Sequence, residues 1–269
     1  MRTRASRNPS VRQNLVRAAC YAGGVSVGAF VSITDPVSAQ IFARSGYEWL
    51  VIDMEHGPVP MAALSGMINA IRTTDTEPFV RAAWNTSAAI QVALDHGASG
   101  VMVPMINTVE DARSAVADVR YSPLGARSRG GVKVALSFET DGPTYFREAN
   151  DQVLLMAQIE TAQSIENIDA IAAVEGIDCL FVGPNDLAAS YGLEYPGAWK
   201  DQTGAYGAAI DAVPAAAARA GKIPGILANS PAMANECIAR GYTLVGCGSD
   251  TTTLWEAARR QRAEIYGKR

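Results

Sequence analysis

The chain alternates short, almost wholly apolar runs with stretches whose apolar residues recur every three or four positions. The first pattern marks a strand buried on both faces, the second an amphipathic helix. The strand-like runs are Val25–Ile33, Trp49–Met54, Phe79–Trp84, Gly100–Ile106, Val153–Ile159, Ile177–Val182, Ile223–Leu227 and Thr243–Cys247. A helical pattern follows each: Pro36–Ser45, Met61–Arg72, Ser87–His96, Val109–Arg120, one carried by Ile165, Ile168, Ile171 and Ala172, then Tyr206–Ala220, Ala232–Arg240 and a terminal helix from Thr252. This repetition predicts an α/β fold, a (β/α)8 TIM barrel. A doubly wound sheet would need a Gly-rich nucleotide turn after its first strand, and GAFVSITDP does not supply one. No linker or low-complexity tract breaks the pattern, so a single domain over 1–269 is expected, with 1–12 as a flexible basic arm. Ser122–Asn150, rich in Gly, Pro, Arg and Ser, is the long interruption and reads as a lid or an interface segment.

The stretch Val153–Leu187 organises the rest, because it reads as strand, helix, strand with polar residues at both strand ends. A right-handed crossover puts those ends on one edge of a parallel sheet, so Glu160 and Asp186 should meet across a rim. Two carboxylates in a partly buried place must be protonated, bridged by cations or bound to a metal. Chemistry in such a barrel sits at the carboxyl ends of the strands. The polar residues there are Asp53, Glu55 and His56; Arg81, Trp84 and Asn85; Gln158 and Glu160; Asn185 and Asp186; Ser249 and Asp250. Asp186 and Asp250 also fit as helix N-caps. With only two histidines, on different units, a metal here would have oxygen ligands, which favours Mg²⁺ or Mn²⁺.

His96, before Gly97, reads as an ordinary helix end, whereas His56, before the Gly57-Pro58 turn, is placed to exchange protons. Arg81 closes a strand entering the interior, where a guanidinium needs an anion. A substrate carboxylate or enolate oxygen would serve, as would Glu55 or Asp53. Gly183-Pro184-Asn185-Asp186 either offers backbone N–H groups to a carboxylate or is a plain strand-to-helix turn. Gly246-Cys247-Gly248-Ser249-Asp250 is a weaker candidate for an anion nest.

Composition narrows the setting. The chain has 269 residues, a net charge of −4 and 48% hydrophobic residues, which fits an Ala-rich α/β enzyme and argues against a nucleic-acid partner. Arg2, Arg4, Arg7, Arg12 and Arg17 read as a solvated tail. No stretch approaches the ~20 apolar residues of a membrane span, and the glycines within Ala18–Ile33 speak against a signal peptide. The four cysteines lack CxxC spacing and read as buried free thiols in a reducing cytoplasm.

WLVIDMEHGP, RAAWN, LDHGASGVMVPMINTVEDA, RYSPLGARS, MAQIET and VGPNDLAASYG follow in that order. Together they resemble the class II, metal-dependent pyruvate aldolases of the HpcH/HpaI type, over nearly the whole chain after about residue 12. The resemblance implies a barrel whose last helix is exchanged with a neighbour, in a homo-oligomer (a trimer, or a hexamer built as a dimer of trimers). It implies Glu160 and Asp186 as ligands of Mg²⁺, Mn²⁺ or Co²⁺, with Gln158 and the Gly183-Pro184-Asn185-Asp186 turn contacting pyruvate. His56 becomes the general base, acting through a metal-bound water, and Arg81 the stabiliser of the enolate. Asp53 belongs to the catalytic set, and Asp95 reaches His56 from an adjacent subunit.

The implied reaction is reversible cleavage of a 4-hydroxy-2-oxo acid to pyruvate and an aldehyde through a metal-stabilised enolate. An acyl-CoA lyase or oxo-acid decarboxylase could use the same site, with Arg127 and Arg129 expected near the mouth for CoA phosphates. A keto-acid-binding barrel without catalysis is the other alternative. No lysine ends a central strand in a Schiff-base position; Lys133, in the long interruption, is the nearest.

Overall fold

Eight parallel strands pair in sequence order, and the last pairs back to the first. They are β1 (Ser26–Val31), β2 (Trp49–Asp53), β3 (Glu77–Arg81), β4 (Gly100–Val103), β5 (Leu154–Ile159), β6 (Cys179–Val182), β7 (Ile223–Ala228) and β8 (Leu244–Ser249). The computed structural model describes residues 10–194, 199 and 204–266. Helix α1 (Leu15–Tyr21) precedes the barrel. Outside it lie α2 (Pro36–Ala43), α3 (Met61–Ile71), α4 (Ser87–Asp95), α5 (Val109–Val119), α6 (Val132–Ser137) and α7 (Gly142–Gln152). They are followed by α8 (Ala162–Glu166), α9 (Ile168–Ala172), α10 (Pro184–Ser190), α11 (Ala205–Ala220), α12 (Pro231–Ala239) and α13 (Asp250–Tyr266). The expected (β/α)8 barrel is therefore what the chain forms.

Several of the turns from strand to helix are closed by side chains. Asp35, Thr86, Thr108, Thr161 and Ser230 each accept a backbone N–H from the helix they open. Each such cap contributes about 1 kcal/mol, and together they stiffen the edge where the strands end. The pipe itself is packed. Phe30, Trp49, Phe79, Met102, Met156 and Phe181 interlock inside it. Small residues face large ones: Gly28 pairs with Trp49, whose indole occupies the space of a Cβ at residue 28, and a Cβ at Gly225 would lie 2.5 Å from the Phe181 ring.

Four regions differ from expectation. The basic arm is shorter, because Val16 and Cys20 bury against the interior cluster and make Leu15–Tyr21 a helix across the far end of the barrel. Arg17 joins Tyr21, Arg120 and the Leu155 N–H on Asp178, at 3.1, 3.0, 2.5 and 2.8 Å. Arg12 pairs with Glu139 at 3.5 Å, so neither arginine is a solvated tail. Arg2, Arg4 and Arg7 lie outside the described residues.

The long interruption folds as α6 and α7, knit by contacts among Tyr121, Phe138, Tyr145 and Phe146. It packs toward the amino ends of the strands, where Phe138 O accepts the Arg12 N–H and Gln152 accepts that of Asn14. A lid over the carboxyl edge is thereby corrected. The helix expected through Ile165 and Ile171 is broken at Asn167, whose side chain turns to donate to Asn107 O at 2.9 Å. Finally, α13 begins at Asp250 rather than Thr252 and runs through solvent, with Leu254, Trp255 and Ile265 exposed by 62, 63 and 75%.

Candidate active site

Asp53 and Arg81 end neighbouring strands in register, so the sheet itself brings them together. Arg81 Nε and Nη2 donate to the two Asp53 oxygens at 2.9 and 2.7 Å. Arg81 Nη1 lies 3.0 Å from Glu55 Oε2. Asp53 Oδ1 also accepts the N–H groups of Glu55 and His56 at 3.1 and 3.2 Å, which shapes the turn that presents both side chains. Burial pushes the Asp53 carboxyl up, but Arg81 and the two turn N–H groups outweigh it and hold the group below its ordinary range. Burial disfavours the Arg81 guanidinium, yet Asp53 and Glu55 reverse the balance and keep it charged.

Glu160 follows β5 directly and is buried. Its Oε1 accepts the Met105 N–H at 2.7 Å, and its Oε2 accepts the Gln158 side-chain amide. Ile159 pairs with Val182, which sets Gly183 against this carboxylate: a Cβ at Gly183 would stand 2.5 Å from Glu160 Oε2. Burial lifts Glu160 from the ordinary 4.5 to about 7; Met105 opposes this, while the charges of Glu55 and Asp186 add to it. Glu55 is raised as well, by burial first, with Arg81 opposing. Asp186 stands in the first turn of α10, exposed on the rim, and Gly183 rather than Asp186 is the N-cap.

Glu160 is a buried carboxyl held near neutrality, two further carboxylates raise it, and Gln158 Oε1 is buried without a hydrogen-bond partner. Among the described residues no three His, Cys, Asp or Glu side chains converge to close a cage. One or two carboxylates, with substrate and water completing the sphere, is how Mg²⁺ is ordinarily held. The residues fit such a cation.

A cavity of about 300 Å³ opens at this edge, walled by Ser32, Asp53, His56, Arg81, Asn185 and Asn229 among others. Glu160 is buried and does not line the open space. A larger hollow of about 490 Å³ lies at the opposite end, between α1 and the starts of β1 and β2, away from these carboxylates. The His56 side chain is 64% exposed, with Nε2 4.0 Å from Glu55 Oε2.

Residues 26–257 match the HpcH/HpaI aldolase/citrate lyase family. This chain belongs to that family. It is 36% identical over 246 residues to the 4-hydroxy-2-oxo-heptane-1,7-dioate aldolase of Salmonella arizonae, covering 91% of this chain and 92% of that one. It is 37% identical over 241 residues to the 2-keto-3-deoxy-L-rhamnonate aldolase of Klebsiella pneumoniae subsp. pneumoniae, covering 90% and 89%. The crystal structure of an HpcH/HpaI aldolase/citrate lyase family protein from Burkholderia cenocepacia J2315 superposes with a TM-score of 0.84 at 32% identity, covering 94% and 99%.

In this HpcH/HpaI barrel, then, Asp53, His56, Arg81, Gln158, Glu160 and the Gly183–Asp186 turn gather at one edge. Asp95 does not join them: it ends α4, beside the amino ends of the strands, where Arg127 holds it at 3.1 Å. Arg127 is itself buried, stacked on Tyr121 and bonded to the Tyr145 hydroxyl. The expectation that Arg127 lies near the mouth, available to a CoA phosphate, is corrected, and Arg129 sits with it over Phe146. Asp250 accepts the N–H groups of Ser32 and Ile33, both at 2.9 Å, and so ties down the end of β1 instead of binding a ligand. Asn85 braces its loop on Asp111 O. His96 caps α4 through Val92 O, as its sequence context indicates.

Ser32 and Asn229 were missed, although each is a polar residue just past an apolar strand, the signal that found the others. Met105 was missed because its contribution is a main-chain N–H.

Proposed function

We propose that the chain is a metal-dependent aldolase that reversibly cleaves a 4-hydroxy-2-oxo acid to pyruvate and an aldehyde. The observation that carries this reading is Glu160: a buried carboxyl held near pH 7 by burial and by Glu55 and Asp186, within the field of Arg81. The aldolase activities named for the relatives, on 4-hydroxy-2-oxo-heptane-1,7-dioate and on 2-keto-3-deoxy-L-rhamnonate, support it. Glu160 and Asp186 would hold Mg²⁺, Mn²⁺ or Co²⁺, which when bound supplies a Lewis acid for the 2-oxo acid.

The chain's own residues do the rest. Gln158 and the Gly183–Asp186 turn orient the carboxylate of the oxo acid. In the cleavage direction His56 Nε2 receives the proton of the C4 hydroxyl as the C3–C4 bond breaks. The bonding pair becomes the C2–C3 double bond, and charge gathers on the C2 oxygen. Arg81, fixed by Asp53 and Glu55 before substrate arrives, faces that charge without having to reorganise. Return of that proton from His56 to C3, directly or through solvent, completes pyruvate and restores the base.

The exposed face of α13 supports its exchange with a neighbouring subunit in a trimer or hexamer. Asp95 would approach His56 only across such an interface; its carboxylate is 38% exposed and is held by Arg127 at 3.1 Å within the subunit. We read the protein as a single-domain cytoplasmic enzyme for small molecules; no described helix is long and apolar enough to cross a membrane.

Deuterium uptake into C3 of pyruvate tests the function directly. Chelator should abolish the exchange and Mn²⁺ should restore it. Exchange that persists in full under chelator overturns the reading. A screen of 4-hydroxy-2-oxo acids, with pyruvate release coupled to lactate dehydrogenase, then identifies the aldehyde.

A further inference from the structure

Two non-glycine residues among those described have positive φ, Met105 and Glu139, both at +57°. Glu139 stands just past the C-cap of α6, where a left-handed residue is an ordinary way to end a helix. Met105 ends no helix. It lies between β4 and α5, where a long side chain in this backbone region is disfavoured and persists only if its surroundings dictate it. The surroundings here are explicit. The turn aims the Met105 N–H at Glu160 Oε1, 2.7 Å away. The next N–H, of Ile106, donates to Gln158 O at 3.3 Å. Asn107 is then fastened by Asn167 on its carbonyl at 2.9 Å and by the Thr161 hydroxyl on its side chain at 2.5 Å. The loop is thereby pinned to the end of β5 and to the break between α8 and α9.

We infer that Met105 is a positioning residue of the cation site: its strained main chain holds Glu160 Oε1 and so presets the carboxylate that meets the cation. This rests on the reading of Glu160 and Asp186 as cation ligands. Without the Met105 N–H, Glu160 is oriented only by the Gln158 side chain, which can itself rotate. On the Oε2 side Gly183 leaves the room the carboxylate occupies, since a Cβ there would stand 2.5 Å from that oxygen. The role belongs to the direction of a backbone N–H, and the Met105 side chain matters only through the φ it tolerates.

The decisive experiment replaces the peptide N–H of residue 105 by an ester oxygen, incorporating the α-hydroxy analogue of methionine into the full chain. Mn²⁺ affinity of the apoprotein is read by electron paramagnetic resonance, without reference to turnover. Loss of an outer-shell partner of a ligand should weaken Mn²⁺ binding by about 10- to 100-fold. Met105→Gly keeps the N–H and removes the strain, so its Mn²⁺ affinity should stay within about a factor of two of wild type. Met105→Ile, β-branched and poorly tolerated at positive φ, should bind Mn²⁺ more weakly. A purely structural role would move melting temperature across this series and leave Mn²⁺ affinity per folded molecule constant.

Wild-type affinity in the folded ester chain overturns the inference. Should the ester chain fold poorly, equal affinities of M105G and M105I overturn it instead. Wild-type protein that binds no Mn²⁺, or binds it unchanged after Glu160→Gln, overturns the underlying cation reading, a result distinguishable from the other two.

Discussion

Gly183 and Glu160 show how little tolerance the site has at the level of single residues. A Cβ on Gly183 would press against Glu160 Oε2 at 2.5 Å and against the Gln158 amide at 2.9 Å. Gly183→Ala should therefore displace the carboxylate, and Mn²⁺ affinity measured by titration should fall about tenfold or more. Melting temperature should fall as well, because Glu160 and Gln158 are both buried and overpacking such a place costs about 1–3 kcal/mol, so affinity is read per folded molecule. Unchanged Mn²⁺ binding in Gly183→Ala would mean the carboxylate does not need this space. Asp53, His56, Arg81, Gln158, Glu160 and Asp186 were legible in the sequence because each interrupts hydrophobicity where an apolar run stops. The ion pair of Arg81 with both Asp53 and Glu55 was legible only as a choice of partners, since spacing cannot say how many anions one guanidinium meets. Met105 was invisible because a side-chain alphabet does not record where a backbone N–H points.

Among the elements, α1 is held by its buried Val16 and Cys20 and by two of its side chains that share one carboxylate. Asp178 takes Arg17 and Tyr21 from α1 on one oxygen, and Arg120 with the Leu155 N–H on the other. Arg120 is only 2% exposed, so removing its partner strands a buried charge. Asp178→Ala should lower stability by about 3–5 kcal/mol in urea unfolding; a loss below about 1 kcal/mol would show that the carbonyls of Gly176 and Val153 suffice for Arg120. The sequence concealed α1 because only Val16 and Cys20 carry its buried face amid arginines. It concealed α6 and α7 for a related reason. Val132–Ser137 is too short to establish a period, and the polar run GPTYFREANDQ hides the buried Thr144, Tyr145 and Ala149. Long strands and well-capped helices, by contrast, were readable nearly to their ends.

At the scale of the molecule, the carboxyl cluster should make the stability of the metal-free protein depend on pH. Glu160 binds its proton more tightly folded than unfolded, and Glu55 shifts in the same direction. Stability from this source is fully present below the ordinary 4.5 and is lost as pH rises through about 7. Asp53 has the opposite sign, but its contribution disappears only when pH falls below 3.8, outside this window. Melting temperature of the apoprotein should therefore be higher at about pH 5 than at about pH 8, Mn²⁺ should reverse the order by binding the ionised carboxylates, and Glu160→Gln should flatten both trends. An apoprotein with the same pH dependence as Glu160→Gln would remove Glu160 as the proton holder.

Among the described residues, the filled pipe around Trp49, closed beneath by α1, leaves the edge at the carboxyl ends of the strands as the way in. Traffic through one doorway is last in, first out: on the proposed binding mode pyruvate sits deepest, against Gln158, and cannot depart until the aldehyde above it has gone. Steady-state inhibition of cleavage should accordingly be competitive with pyruvate and noncompetitive with the aldehyde, and in synthesis pyruvate must be the leading substrate.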